Sequence, residues 1–105
     1  MIFAYDELKS YISEDFKRFV GMNFSQEQIL PAILNEYENA DDFSLEECIC
    51  IHVLIALEYM NKNFDCTIVR KKLDTLLIAL DLSEIERNMG DDYKKLLADM
   101  AIVFQ

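Results

Sequence analysis

An all-α fold, a single-domain bundle of four to five helices around an apolar central helix, is what three features of this 105-residue sequence predict. Apolar side chains recur at steps of three and four along most of the chain, the period of a helix with one buried face. Only two glycines and one proline occur, and turn signals between alternating segments, the mark of paired strands, are absent. Hydrophobic residues make up 52% of the chain, with seven Phe and five Tyr, which excludes a disordered acidic segment despite a net charge of −10.

The first helix is expected from about Asp6 to Val20. Leu8, Ile12, Phe16 and Phe19 line one face, Asp6 is the candidate cap and Gly21 the stop. Ser25 with Gln28 forms a capping-box pair for a second helix whose apolar positions are Ile29, Leu30, Ile33, Leu34 and Tyr37. Pro31 leaves two readings of it, a helix kinked at the proline or one that begins near Leu30.

Ser44 and Glu47 give the strongest capping box, opening a third helix to about Met60. Cys48, His52, Ile55 and Tyr59 form one apolar stripe on it and Ile49, Val53, Ala56 and Met60 the next, so neighbours must cover it on most sides. A fourth helix is expected from about Cys66 to Leu80, with Ile68, Val69, Leu73, Leu76, Leu77 and Leu80 inward and Arg70, Lys71 and Lys72 outward. Ser83 with Glu86 opens a last segment. Gly90 breaks it, and Asp91 recaps a helix with Tyr93, Leu96, Leu97, Met100, Val103 and Phe104 on its core face. No internal repeat, linker or low-complexity tract is apparent, so residues 1–105 read as one helical domain.

The longest apolar block, Cys48 to Leu57, falls short of the about 18 residues a membrane span needs. The amino terminus has no basic start followed by an apolar run, so no secretory signal is expected and a cytoplasmic location is. Cys48, Cys50 and Cys66 then read as reduced, small core residues.

Little in the sequence points to catalysis. His52, the single histidine, stands four residues after Cys48 on one helix face, but no second pair completes a four-ligand zinc site. The reading favoured is a core imidazole bonded to a neighbour. Glycine-rich phosphate loops, Gly-x-Ser-x-Gly turns and Cys-x-x-Cys pairs are missing from the sequence. No enzyme, catalytic residue, metal or cofactor is therefore expected. Arg70-Lys71-Lys72 and Lys94-Lys95 are the basic clusters, and in a chain this acidic they are read as balancing acids on neighbouring helices rather than binding nucleic acid.

Charge is where the sequence is most informative. From Phe19 to Asn61 it carries eight carboxylates and no Lys or Arg. Asp41, Asp42, Glu46 and Glu47 surround a helix amino terminus, where negative charge is favourable by about 0.3–1 kcal/mol each. Glu36 and Glu38 sit near the end of the preceding helix, where it is not. The surface expected to meet a partner is accordingly Glu36, Tyr37, Glu38, Asp41, Asp42, Phe43 and Glu46. Tyr37 and Phe43 are its aromatic candidates for an anchor, although the core competes for Tyr37.

The run Ile29-Leu30-Pro31-Ala32-Ile33-Leu34-Asn35-Glu36-Tyr37-Glu38, an acidic turn and an apolar helix ending Ala56-Leu57-Glu58-Tyr59 together resemble the small, acidic, all-helical immunity proteins of bacterial polymorphic toxin systems. Tyr5, Leu8, Ile12 and Phe16 before a Lys-Arg pair fit the same pattern, which covers about residues 5–65. The resemblance implies a cytoplasmic immunity protein that binds and neutralises a cognate toxin with a basic surface, a nuclease being one candidate, with Glu36, Tyr37 and Glu38 carried over. On this reading the protein is a monomer rather than a homo-oligomer and engages neither nucleic acid nor membrane. The alternative kept open is a structural helical subunit or homodimeric adaptor with no toxin partner.

Overall fold

The most apolar helix is the one every other helix packs against. A computed structural model describes residues 4–38, 44–79 and 81–105, and within them the chain forms α1 (Tyr5–Gly21), α2 (Gln26–Glu38), α3 (Leu45–Asn61), α4 (Thr67–Ala79), α5 (Leu82–Met89) and α6 (Asp92–Val103). α3 buries an unbroken run from Ile49 to Ala56, its stripes covered by α1, α4 and α6 with α2 and α5 at its flanks. The radius of gyration, 13.1 Å, matches the about 13 Å of one compact unit of this length.

The described residues hold six helices, where four to five were expected. The difference lies after Leu80. Asp81, not Ser83, caps α5 by accepting the Ser83 N–H at 2.9 Å. Gly90, at φ +60, breaks the segment where the sequence placed the break, and a separate α6 follows. Asp91 stands at the head of that helix without a side-chain cap.

A repeat that the sequence reading missed organises the first four helices. α1 and α3 are each 17 residues long and α2 and α4 each 13. Both hairpins turn through the same Schellman motif. Asn23 (φ 64) and Asn63 (φ 57) take the left-handed conformation after the helix. The Phe24 N–H then donates to the Phe19 carbonyl at 3.1 Å, and the Phe64 N–H to the Tyr59 carbonyl at 2.8 Å. The apolar contact that accompanies this motif is present in both, Phe19 with Phe24 (centroids 4.9 Å apart) and Tyr59 with Phe64 (5.7 Å). The stop is therefore Asn23, not Gly21, which is still helical. Asparagine does this work because its short polar side chain tolerates positive φ better than other non-glycine residues.

The two hairpins pack through their first helices, α1 against α3, while α2 lies against α1 and α3, α4 lies against α3, and α2 and α4 make few contacts with each other. α6 then closes over α1 and α3. Its seam with α1 is polar. The Tyr5 N–H, a free donor at the start of α1, is taken by an Asp92 oxygen at 3.0 Å, so the expected cap, Asp6, is itself helical and Asp92 does the capping. The Tyr5 hydroxyl donates to Asp99 at 2.7 Å, Lys9 reaches the same oxygen at 3.2 Å, and Lys95 pairs with Asp6 at 2.7 Å.

Pro31 lies inside α2, one turn and more from its start, so the helix neither begins at Leu30 nor ends there. Tyr59 of α3 supports it. Its hydroxyl accepts the Leu30 N–H at 3.0 Å and donates to the Gln26 carbonyl, the two groups that frame the turn ahead of the proline. The hydroxyl thereby bridges two groups four residues apart, the usual partners of a helical bond, in the turn just ahead of the proline. Ser25 contributes half a capping box, its N–H donating to Gln28 Oε1 at 2.9 Å. At Ser44 the hydroxyl accepts the Glu47 N–H at 3.2 Å.

Apolar spacing misplaced three side chains. Ile68 is 59% exposed, and Leu97 and Phe104 also face outward, whereas Leu96 and Val103 are buried as expected. Leu80 lies outside the described residues.

Candidate functional site

The expected partner surface divides on folding. Asp41, Asp42, Phe43 and the side chain of Glu38 lie outside the described residues. Glu36 and Tyr37 come together on the side of α2 that meets α1. There the Tyr37 hydroxyl donates to Asp15 Oδ2 at 3.0 Å. Arg18 ties the two helices, bonded to Asp15 at 3.3 Å and to Glu36. The Tyr37 hydroxyl is held protonated well above the usual phenol range, by burial first and by the Asp15 carboxylate second. Tyr37 is thus half-buried, part core and part surface, with its polar end committed.

Arg18 changes the electrostatic picture. Along the chain Glu36 has no basic residue near it; in space the guanidinium of α1 partly neutralises it. Among the described residues it is the one acid of the 19–61 stretch with an ion-pair partner.

Glu46 makes its contact elsewhere. The Asn88 amide of α5 donates to its Oε1 at 2.7 Å. Burial alone would raise its pKa, but the bonds from Asn88, the backbone and Ser44 outweigh that and hold it below the ordinary carboxylate value.

Two α1 residues that sequence reasoning did not select complete the surface. Tyr11, 45% exposed, and Asp15 line a shallow depression with Glu36 and Tyr37. The signal available was the spacing Tyr11–Asp15–Arg18, a helical stripe beside the apolar face of α1.

The Cys48–His52 pair lies on one face of α3, as the spacing requires. His52 Nδ1 is 2.7 Å from the Cys48 carbonyl, so with the proton on that nitrogen it donates back along its own helix. This is the core imidazole bonded to a neighbour that the sequence favoured. Among the described residues no group of three or more His, Cys, Asp or Glu side chains is placed to hold a metal ion. Cys50 is buried against Met89 and Cys66 donates to the Ala56 carbonyl at 3.4 Å, both packing roles. No helix among the described residues is long and apolar enough to cross a membrane.

The basic cluster of α4 is partly structural. Arg70 donates from Nε to the Val103 carbonyl at 2.9 Å, satisfying an acceptor at the end of α6, where a cation also suits the helix dipole. Lys71 and Lys72 are exposed.

A second concave feature follows from the repeat. Because α2 and α4 make few direct contacts, a furrow runs between them over α3, as two depressions that meet at Lys72, with Gln26 Oε1 accepting the Asp65 N–H at 3.0 Å at one end. Leu30, Tyr59 and Val69 line one, and Leu34, His52 and Leu76 the other. Pro31 and Ile68 stand exposed on its walls, with Glu27 and Asp65 at one end.

No family model, no curated protein and no solved structure matches this chain.

Proposed function

We propose that the protein is a non-enzymatic immunity protein that binds a cognate bacterial toxin in the cytoplasm and neutralises it through an acidic surface. One observation carries this reading: the stretch from Phe19 to Asn61 concentrates eight carboxylates without a single Lys or Arg, and in the described residues only Arg18 reaches in to pair with one of them. A surface of one sign steers a basic partner toward it and repels nucleic acid and anionic lipid. A toxin that attacks nucleic acid tends to present a basic cleft, and acids placed where phosphates would lie can occlude it. The resemblance of residues 5–65 to immunity proteins supports the same reading from the sequence pattern.

The Arg18 pair shifts the expected weight of the contact. Glu36 is screened, so Glu38 at the end of α2 and the connector acids Asp41 and Asp42 are the charges proposed to meet a partner, with Tyr11 and Tyr37 as aromatic surface around Glu36. Charge reversal of Glu38, Asp41 and Asp42 to Lys, tested with the toxin encoded by the adjacent gene, should abolish protection while far-UV circular dichroism stays unchanged. Glu36→Lys alone should matter less, because its partner charge is internal. Full protection by the triple variant would remove the acidic surface from the mechanism.

A further inference from the structure

We propose that the furrow between α2 and α4 is a docking site for an amphipathic, basic helix of another protein. The repeated hairpins create it. Their first helices pack together, and their second helices make few direct contacts, the Asp65 N–H donating to Gln26 Oε1 at 3.0 Å where α2 and α4 begin, so beyond that tie the two helix faces stand open to each other among the described residues. The floor is the stripe of α3 that holds His52 and Tyr59, both buried. The walls carry apolar side chains toward solvent, Ile68 at 59% exposure on α4 and Pro31 on α2. From Glu27 to Leu34 along one wall and from Ile68 to Leu76 along the other the furrow runs about 11–12 Å at 1.5 Å per residue, two turns of a helix. That length suits a guest presenting aliphatic side chains at positions i, i+4 and i+7.

Charge selects between guests. Glu27 and Asp65 stand together at the end where α2 and α4 begin, Lys72 lies at the middle, and the whole chain carries −10. A second copy of this chain would bring its own −10 against that end and be repelled, while a guest helix with Lys or Arg over Glu27 and Asp65 is attracted. Among the described residues neither wall includes Glu36 or Tyr37, so the docking site is separate from the part of the toxin-binding surface that these two residues form.

The test uses the whole chain, ¹⁵N-labelled, titrated with a synthetic amphipathic Leu/Lys helix and with a scrambled peptide of the same composition. The amphipathic peptide should bind saturably, with amide shifts grouped on residues 27–34 and 66–76, and the scrambled one should bind at least tenfold more weakly. Ile68→Glu, a substitution at an exposed position, should weaken binding about tenfold or more. If that variant loses its helical spectrum, Ile68→Ser gives the same comparison with a smaller perturbation. Glu27→Lys should weaken it several-fold more at low salt than at high. Equal binding of the two peptides, shifts centred on Glu36 and Tyr37, or no binding at all would overturn the proposal. So would furrow shifts that depend on protein concentration without peptide, which would assign the site to a second copy.

Discussion

Replacing Tyr59 with phenylalanine removes one oxygen and almost nothing else, yet it strikes the point where α2 is weakest. The ring would keep its place between Phe16 and Phe64, whose centroids lie 5.6 and 5.7 Å away, so no cavity opens. What is lost is the acceptor of the buried Leu30 N–H and the donor to the Gln26 carbonyl. An unpaired buried polar group costs about 1–3 kcal/mol. The amide bears that cost to the extent that it does not close on the Gln26 carbonyl, its helical partner four residues back, and the partly exposed carbonyl recovers some of its bonding from water. Tyr59→Phe should therefore destabilise the fold by about 2 kcal/mol, lowering the melting temperature by roughly 8–14 °C for a chain of this size. Urea unfolding followed by circular dichroism measures it, with an unchanged denaturant slope showing that the unfolded state is not what moved. Pro31 supplies the internal control. In a Pro31→Ala background the turn can close on itself, so the cost of Tyr59→Phe should fall by about 1 kcal/mol, a coupling that only neighbouring residues show. A cost below about 0.5 kcal/mol in the Pro31 protein, or no coupling, would refute the bridge as the support of α2.

Three other outcomes follow from the same geometry. Asn23→Ala and Asn63→Ala each place a larger penalty on a left-handed residue and should cost about 1 kcal/mol apiece, additively in chemical unfolding because the two turns belong to different hairpins. Asp99→Ala strips the acceptor from the Tyr5 hydroxyl, which is 1% exposed, and should cost about 2 kcal/mol, while Asp99→Asn keeps an acceptor and should cost less in the same assay. Burial, and then the Glu47 carboxylate, push the Cys50 thiol from an ordinary 9.0 up to about 12. The unfolded thiol thus gives up its proton first, and stability measured by urea unfolding should fall between pH 9 and 12 by up to about 1.4 kcal/mol per pH unit from this group, with Cys50→Ala flattening the slope.

Local signals carried most of the helices. Leu8, Ile12, Phe16 and Phe19 are all buried on α1, and the all-round apolar character of α3 is what its central position requires. The Ser44 cap is where the sequence put it. Periodicity failed where it cannot see a neighbour: it marks the side of a helix that holds apolar residues, and says nothing about whether another helix covers that side. Ile68 is exposed for this reason, since α2 and α4 make few direct contacts. The repeat was hidden because the two turns share little beyond an aromatic residue and the Asn-Phe pair that follows it, a pattern that only backbone geometry makes conspicuous. The site was least legible. Arg18 screens Glu36 through the fold of α2 back on α1, and a charge count along the chain treats the two as strangers.

The seam between α1 and α6 sets an order of events on the ribosome. Tyr5 N–H waits for Asp92, its hydroxyl for Asp99 and the Asp6 carboxylate for Lys95, partners made 87 to 94 residues later. Until α6 has emerged, α1 lacks both its cap and the acceptor for its most deeply set hydroxyl. Translation must therefore run nearly to the end of the described chain before its beginning can settle, and a nascent chain halted after α4 would hold two hairpins with the seam still unmade.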